Sequence, residues 1–101
     1  MPNTVHTIPG NVLPMAGKAQ QITGLSSVKT LTPPEGALFA LVDTESQVVR
    51  WYDDGTTPTA SLGRRLLPGY ELEVTAGSLS TIKFIEEAPS AKLNVTYYRT
   101  P

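Results

Sequence analysis

The sequence predicts an all-β fold: a single-domain antiparallel β-sandwich of jelly-roll or Greek-key kind, preceded by an extended N-terminal arm. Three observations carry this. Residues 48–52, 70–74, 80–86 and 92–98 form short runs in which side chains alternate with period two. Clusters of Gly, Pro, Asp and Ser separate these runs at turn-like intervals. No stretch sustains a helical period. Seven or eight short strands divided by turns are the pattern of a sandwich or small barrel.

Residues 1–17 contain Pro2, Pro9, Pro14, Gly10 and Gly17, and the apolar Val5, Ile8, Val12, Leu13 and Met15 follow neither a helical nor a strand period. Each proline removes a donor and drives its predecessor toward extended geometry, so this segment reads as an arm. Ordering it costs about 1 to 2 kcal/mol per residue of backbone entropy, and its few apolar residues offset that only against a neighbour. The sandwich domain is expected over residues 18–101.

Within that domain, residues 18–32 are rich in Thr, Ser and β-branched residues and are split at Gly24, which predicts two short strands or one bent one. Pro33, Pro34 and Gly36 end that region. Residues 37–42 are continuously apolar, as in a strand covered on both faces, and residues 43–46 read as the turn of a hairpin into 48–52. There Val49 and Trp51 share one face, with Val48, Arg50 and Tyr52 on the other. Residues 53–63 (DDGTTPTASLG) have no apolar period and read as a surface loop long enough to carry function. A short strand over 64–67, a turn at Pro68-Gly69 and a strand with Tyr70, Leu72 and Val74 inward and Glu71 and Glu73 outward follow. Ile82 and Phe84, then Leu93, Val95 and Tyr97, mark the arms of a last expected hairpin around 86–90.

Composition excludes several function classes. A chain of 101 residues can bury roughly two-thirds of its unfolded surface, so it folds as one domain without staples. With no cysteine it has no disulfide, zinc-ribbon or thiol chemistry. Eight Lys and Arg against nine Asp and Glu give a net charge of -1, which offers no field for nucleic acid or anionic lipid. The apolar run at 37–42 falls far short of the roughly 20 residues of a membrane helix, and a basic segment followed by an apolar one is missing at the N-terminus, so neither a membrane span nor a signal peptide is expected.

Residue-level chemistry is equally sparse. His6 is the sole histidine and lies in the expected arm, so neither a Ser-His-Asp triad nor a two-histidine metal site is expected within one chain. Glu86 and Glu87 are adjacent, so a strand sends them to opposite faces, and at a turn they serve solvation. Asp53-Asp54-Gly55 with Asp43 and Glu45 could gather oxygens, but the spacing matches no loop supplying the six or so that calcium needs. Asp-Gly is first a turn signal. The glycines match no phosphate-binding pattern. Among the aromatics, Trp51, Tyr70 and Tyr97 lie on the inward phase, leaving Tyr52 and Tyr98 as the ones to meet a ligand by stacking. Asn94-Val95-Thr96 matches a glycosylation sequon in mid-strand and reads as chance; Arg64-Arg65 is a small basic spot suited to pairing with acidic residues of a neighbouring subunit. No cofactor, metal or catalytic set is expected, which points away from an enzyme.

The text VVRWYDDGTTPTASLGRRLLPG at 48–69, followed by LSTIKFIEEAPSAKLNVTYYR at 79–99, resembles a group of small tailed-bacteriophage virion proteins. In these an Arg-Trp-x-Asp-Asp-Gly-Thr-x-Pro-Thr segment precedes an Ile-Lys-Phe-Ile strand and a terminal Leu-Asn-Val-x-Tyr-Tyr strand. The resemblance covers about the last two-thirds of the chain and leaves residues 1–30 outside it. Its motifs are structural and carry over no active-site residues. It implies a capsid-associated protein made in the host cytoplasm and carried on the virion surface. Sandwich decoration proteins of this type commonly form homotrimers on the capsid lattice.

Taken with the arm and the strand pattern, the resemblance makes a head decoration or minor capsid protein the leading expectation, its partners being the major capsid protein and its own copies, with no small-molecule substrate. The contact segments expected are the arm, through Val5, Ile8, Val12 and Leu13, and the loop region, through Tyr52, Asp53, Asp54, Thr57, Pro58, Arg64 and Arg65. Such arms can pair with exposed sheet edges, and lattice repetition multiplies weak contacts. The alternatives are a tail-borne receptor or glycan-binding module with Tyr52, Tyr98 and the 53–63 loop forming a shallow stacking site, or a tail or connector subunit.

Overall fold

The computed structural model describes residues 12–101. Among the described residues, nine strands and a 3-10 turn (Ala76–Ser78) build two antiparallel sheets packed face to face. The strands are β1 (Leu13–Pro14), β2 (Gln20–Ile22), β3 (Lys29–Thr30), β4 (Phe39–Glu45), β5 (Val49–Tyr52), β6 (Arg64–Leu66), β7 (Glu71–Val74), β8 (Lys83–Glu86) and β9 (Lys92–Arg99). The first sheet runs β1-β9-β4-β7, with β2 also on the free edge of β9; the second runs β3-β8-β5-β6. This is the sandwich that the alternating runs predict.

The core lies between the sheets. Ala40, Val42 and Thr44 of β4, Leu93, Val95 and Tyr97 of β9 and Val74 of β7 meet Val49 of β5, Phe84 of β8 and Leu66 of β6, with Leu25, Leu31, Leu79, Ile82 and Ala91 closing the ends. Each fully buried large apolar side chain contributes about 1.5 to 3 kcal/mol. Two polar groups enter this core with partners. The Thr44 hydroxyl donates to the Gln47 carbonyl at 2.8 Å. The Tyr97 hydroxyl donates to Gln20 Oε1 and accepts from the Thr32 amide, which ties β2 and the segment after β3 to β9.

Three expectations are corrected. Neither predicted hairpin forms: β4 and β5 lie in opposite sheets, as do β8 and β9, so the short connections are arches over the core. Ser46 and Ser90, at φ 74° and 81°, provide the sharp reversals. Alternating side chains specify which face is buried but not which strand completes the ladder. Second, β4 continues through the predicted turn to Glu45, and only one of its faces is covered: Ala40, Val42 and Thr44 are buried while Phe39, Leu41 and Asp43 are half-exposed. Third, the end of the predicted arm belongs to the sandwich, because Leu13 and Pro14 pair with Arg99 and Tyr98 and the Met15 amide donates to the Tyr97 carbonyl at 2.8 Å. Val5 and Ile8 lie outside the described residues, whereas Val12 is half-buried beside the β1 edge and Leu13 is 43% exposed.

Candidate interaction surface

The loop joining β5 to β6, residues 53–63, is the largest irregular segment between two paired strands, and its own residues hold it in shape. Asp54 Oδ1 accepts from the Thr56 amide at 3.0 Å, a turn that leaves Gly55 at φ 90°. This hydrogen bond holds the Asp54 carboxyl below its ordinary pKa. Thr59 and Leu62 exchange main-chain hydrogen bonds of 2.9 and 3.2 Å, closing a tight turn at the tip. The protein surface secures the loop from outside as well. The Thr81 hydroxyl donates to the Asp53 carbonyl at 2.7 Å and Lys83 Nζ donates to the Thr57 hydroxyl at 3.3 Å.

The base of the loop is held by charge. Arg50 of β5 donates through Nη1 to the Gly63 carbonyl at 2.8 Å and through Nε to Glu87 Oε2 at 2.5 Å. Arg65 of β6 reaches the same carboxylate, with Nε to Oε2 at 2.8 Å and a second bond to Oε1 at 3.1 Å. These hydrogen bonds, Arg65's foremost, hold the Glu87 carboxyl below its ordinary pKa, and Glu87 in turn raises Arg65. Arg64 lies over the Trp51 ring, 5.9 Å from its centroid, within cation–π range.

The structure sorts the expected contact residues by accessibility. Asp53, Asp54, Thr57 and Arg64 are exposed along the loop and its exit. Tyr52 is half-buried beside Lys83. Pro58 is fully buried beneath the loop, so it supports this surface without belonging to it. Arg65 is exposed as well and pairs with Glu87 of its own chain. Glu87 thereby does more than solvate a turn. One residue was missed: Leu62, at the tip, is 51% exposed, the most exposed large apolar side chain of the described residues. Its signal was present, a lone aliphatic in an otherwise polar loop.

Other groupings considered from sequence do not assemble. Tyr52 alternates away from buried Val49 on the outer face of one sheet, and Tyr98 away from buried Tyr97 on the outer face of the other, so the two tyrosines share no stacking site. Asp43 and Glu45 lie on the outer face of the first sheet, where Asn94 Nδ2 donates to both at 2.9 and 2.7 Å. Asp53 and Asp54 belong to the loop at the second sheet, and no group of three or more His, Cys, Asp or Glu able to hold a metal occurs among the described residues. No helix of the described residues is long and apolar enough to cross a membrane. Comparisons with known protein families, with characterised proteins and with solved structures find no match to this chain.

Proposed function

We propose that this protein is a structural component of a tailed-bacteriophage virion, a head decoration protein that binds the outer capsid lattice through the 53–63 loop and stabilises it, most readily as a homotrimer. The observation that carries this reading is that the residues responsible for the resemblance are those that fix the loop's shape. Trp51 lies under Arg64, Asp54 and Gly55 make the turn, Pro58 fills the space below, and Thr59 closes the tip on Leu62. A loop ordered in advance loses little entropy on docking, and repetition over a lattice turns modest contacts into firm attachment. Leu62 is the apolar anchor of that loop, whose exposed residues also include the polar Asp53, Asp54 and Thr57.

The test is cosedimentation of the purified protein with capsids stripped of it. Saturable binding is expected, and Leu62→Asp should weaken it about tenfold or more, equivalent to about 1.4 kcal/mol. Absence of affinity for those capsids, together with absence of the protein from virions, would end the proposal.

A further inference from the structure

On one side of the sandwich the two sheet edges are β6 and β7; among the described residues β6 pairs only with β5, and β7 only with β4. Between them opens a cleft of about 390 Å3 lined by Trp51, Leu66, Leu67, Tyr70 and Leu72, with Arg65 and Glu71. Leu67 is 41% exposed, and Glu71 Oε1 is buried without a donor among the described residues. An open apolar hollow walled by two aromatic rings is the form of site that receives polyproline II segments.

Residues 1–11 have the matching pattern. A polyproline II helix has three residues per turn, which places Pro2, Val5 and Ile8 on one stripe, and Pro2 and Pro9 have φ preset near the value this conformation needs. The segment contains no acidic residue, so nothing in it repels the Glu71 carboxylate.

The fold places its point of attachment far from the cleft of the same chain. Val12 precedes Leu13, which pairs with Arg99, whereas Leu72 in the cleft pairs with Val42 and through it with Val95. The two points are three strand spacings apart across the sheet, about 14 Å, and four residues apart along it, again about 14 Å, a diagonal of about 20 Å over the outer face of the sheet. Ile8 stands four residues before Val12 and reaches at most about 14 Å from it, so it falls short of the cleft of its own chain. A second copy placed head to tail brings its cleft next to the exit corner.

We propose that residues 2–8 of one copy, in polyproline II conformation, seat Val5 and Ile8 in the Trp51–Tyr70 cleft of a second copy. The contact is heterologous, so every copy gives one segment and receives one, and the assembly closes where the rotation permits, as three copies at 120°. This interface needs no capsid, and its failure leaves loop-mediated attachment intact.

The experiment is sedimentation velocity of the full chain over a wide concentration range, with emission of Trp51, the single tryptophan, recorded alongside. Mass should rise with concentration and the emission should move to the blue in step. The double variant Val5→Asp/Ile8→Asp and the single variant Leu67→Asp should each remain monomeric without the emission change. Mixed, they should form a complex, because one supplies an intact cleft and the other an intact segment. A wild-type chain that stays monomeric at every concentration overturns the proposal, as does an oligomer unaffected by Val5→Asp/Ile8→Asp. A blue emission that depends on Val5 and Ile8 but not on concentration places the segment in its own cleft, and also overturns it. Should Leu67→Asp fail to fold, the Val5/Ile8 pair decides alone, since it lies outside the described sandwich.

Discussion

Arg50 Nε and Glu87 Oε2 meet at 2.5 Å although they stand 37 residues apart. Arg65 joins the same carboxylate, so β5, β6 and the connection from β8 to β9 are tied at the base of the 53–63 loop. The pair therefore links the stability of the sandwich to the shape of the 53–63 loop.

Acid should loosen this link. The Glu87 carboxyl is lowered by the hydrogen bond from Arg65, and Asp54 by that from the Thr56 amide. For an acid whose folded-state pKa is depressed, stability is present above the unfolded value, about 4.3 for Glu and 3.9 for Asp, and is lost as pH falls through the folded value. Urea midpoints measured from pH 6 downward should fall more steeply for the wild-type chain than for Glu87→Gln, which has lost the titrating group. Parallel curves would mean that the pair contributes nothing.

Gly63 should resist substitution. At φ 138° it occupies backbone space that L side chains rarely enter, and an added Cβ would stand 3.2 Å from the Cβ atoms of Arg50 and Pro58 and 3.3 Å from the Trp51 amide nitrogen. Gly63→Ala should cost about 1 to 3 kcal/mol by chemical denaturation, toward the upper end because neither Pro58 nor the backbone can yield. Gly55→Ala, at φ 90° with open space around it, carries only the backbone part, about 1 kcal/mol.

Tyr97→Phe should destabilise by about 1 to 3 kcal/mol, since it leaves the Thr32 amide without its acceptor and removes one of the two donors to Gln20 Oε1 in a part-buried setting. Burial raises the Tyr97 hydroxyl above its ordinary pKa. A raised folded-state pKa gives stability that is present below about 10 and is lost as pH rises through the folded value. The wild-type chain should lose stability on alkaline titration above pH 10 more steeply than Tyr97→Phe, as read by circular dichroism.

Leu62→Asp separates surface from core. Leu62 is 51% exposed, so the replacement should leave the unfolding free energy from urea titration within about 0.5 kcal/mol of the wild-type value. A large loss of stability would show that this side chain serves the fold and would remove it as a contact.

Much of this architecture was legible because side-chain period is a local property. Val49, Leu93, Val95 and Tyr97 announced their inward phase, and all four are buried. Ladder partners were not legible. The segments on either side of Ser46 and Ser90 read as hairpins, yet cross the core, because pairing depends on two serines adopting positive φ and on strands far away in the chain. The loop was placed correctly, but its inner organisation was hidden. Nothing local says that Pro58 turns inward while Leu62 turns outward, or that Arg65 is claimed by Glu87 from 22 residues away.

Cryo-electron microscopy of the particle that carries this protein tests the central claim most directly. The account predicts sandwich-shaped density at three-fold or quasi-three-fold positions on the outer capsid, with the 53–63 loop facing the lattice and Leu62 at the contact. Density confined to the tail or neck, or particles lacking the protein altogether, would contradict it.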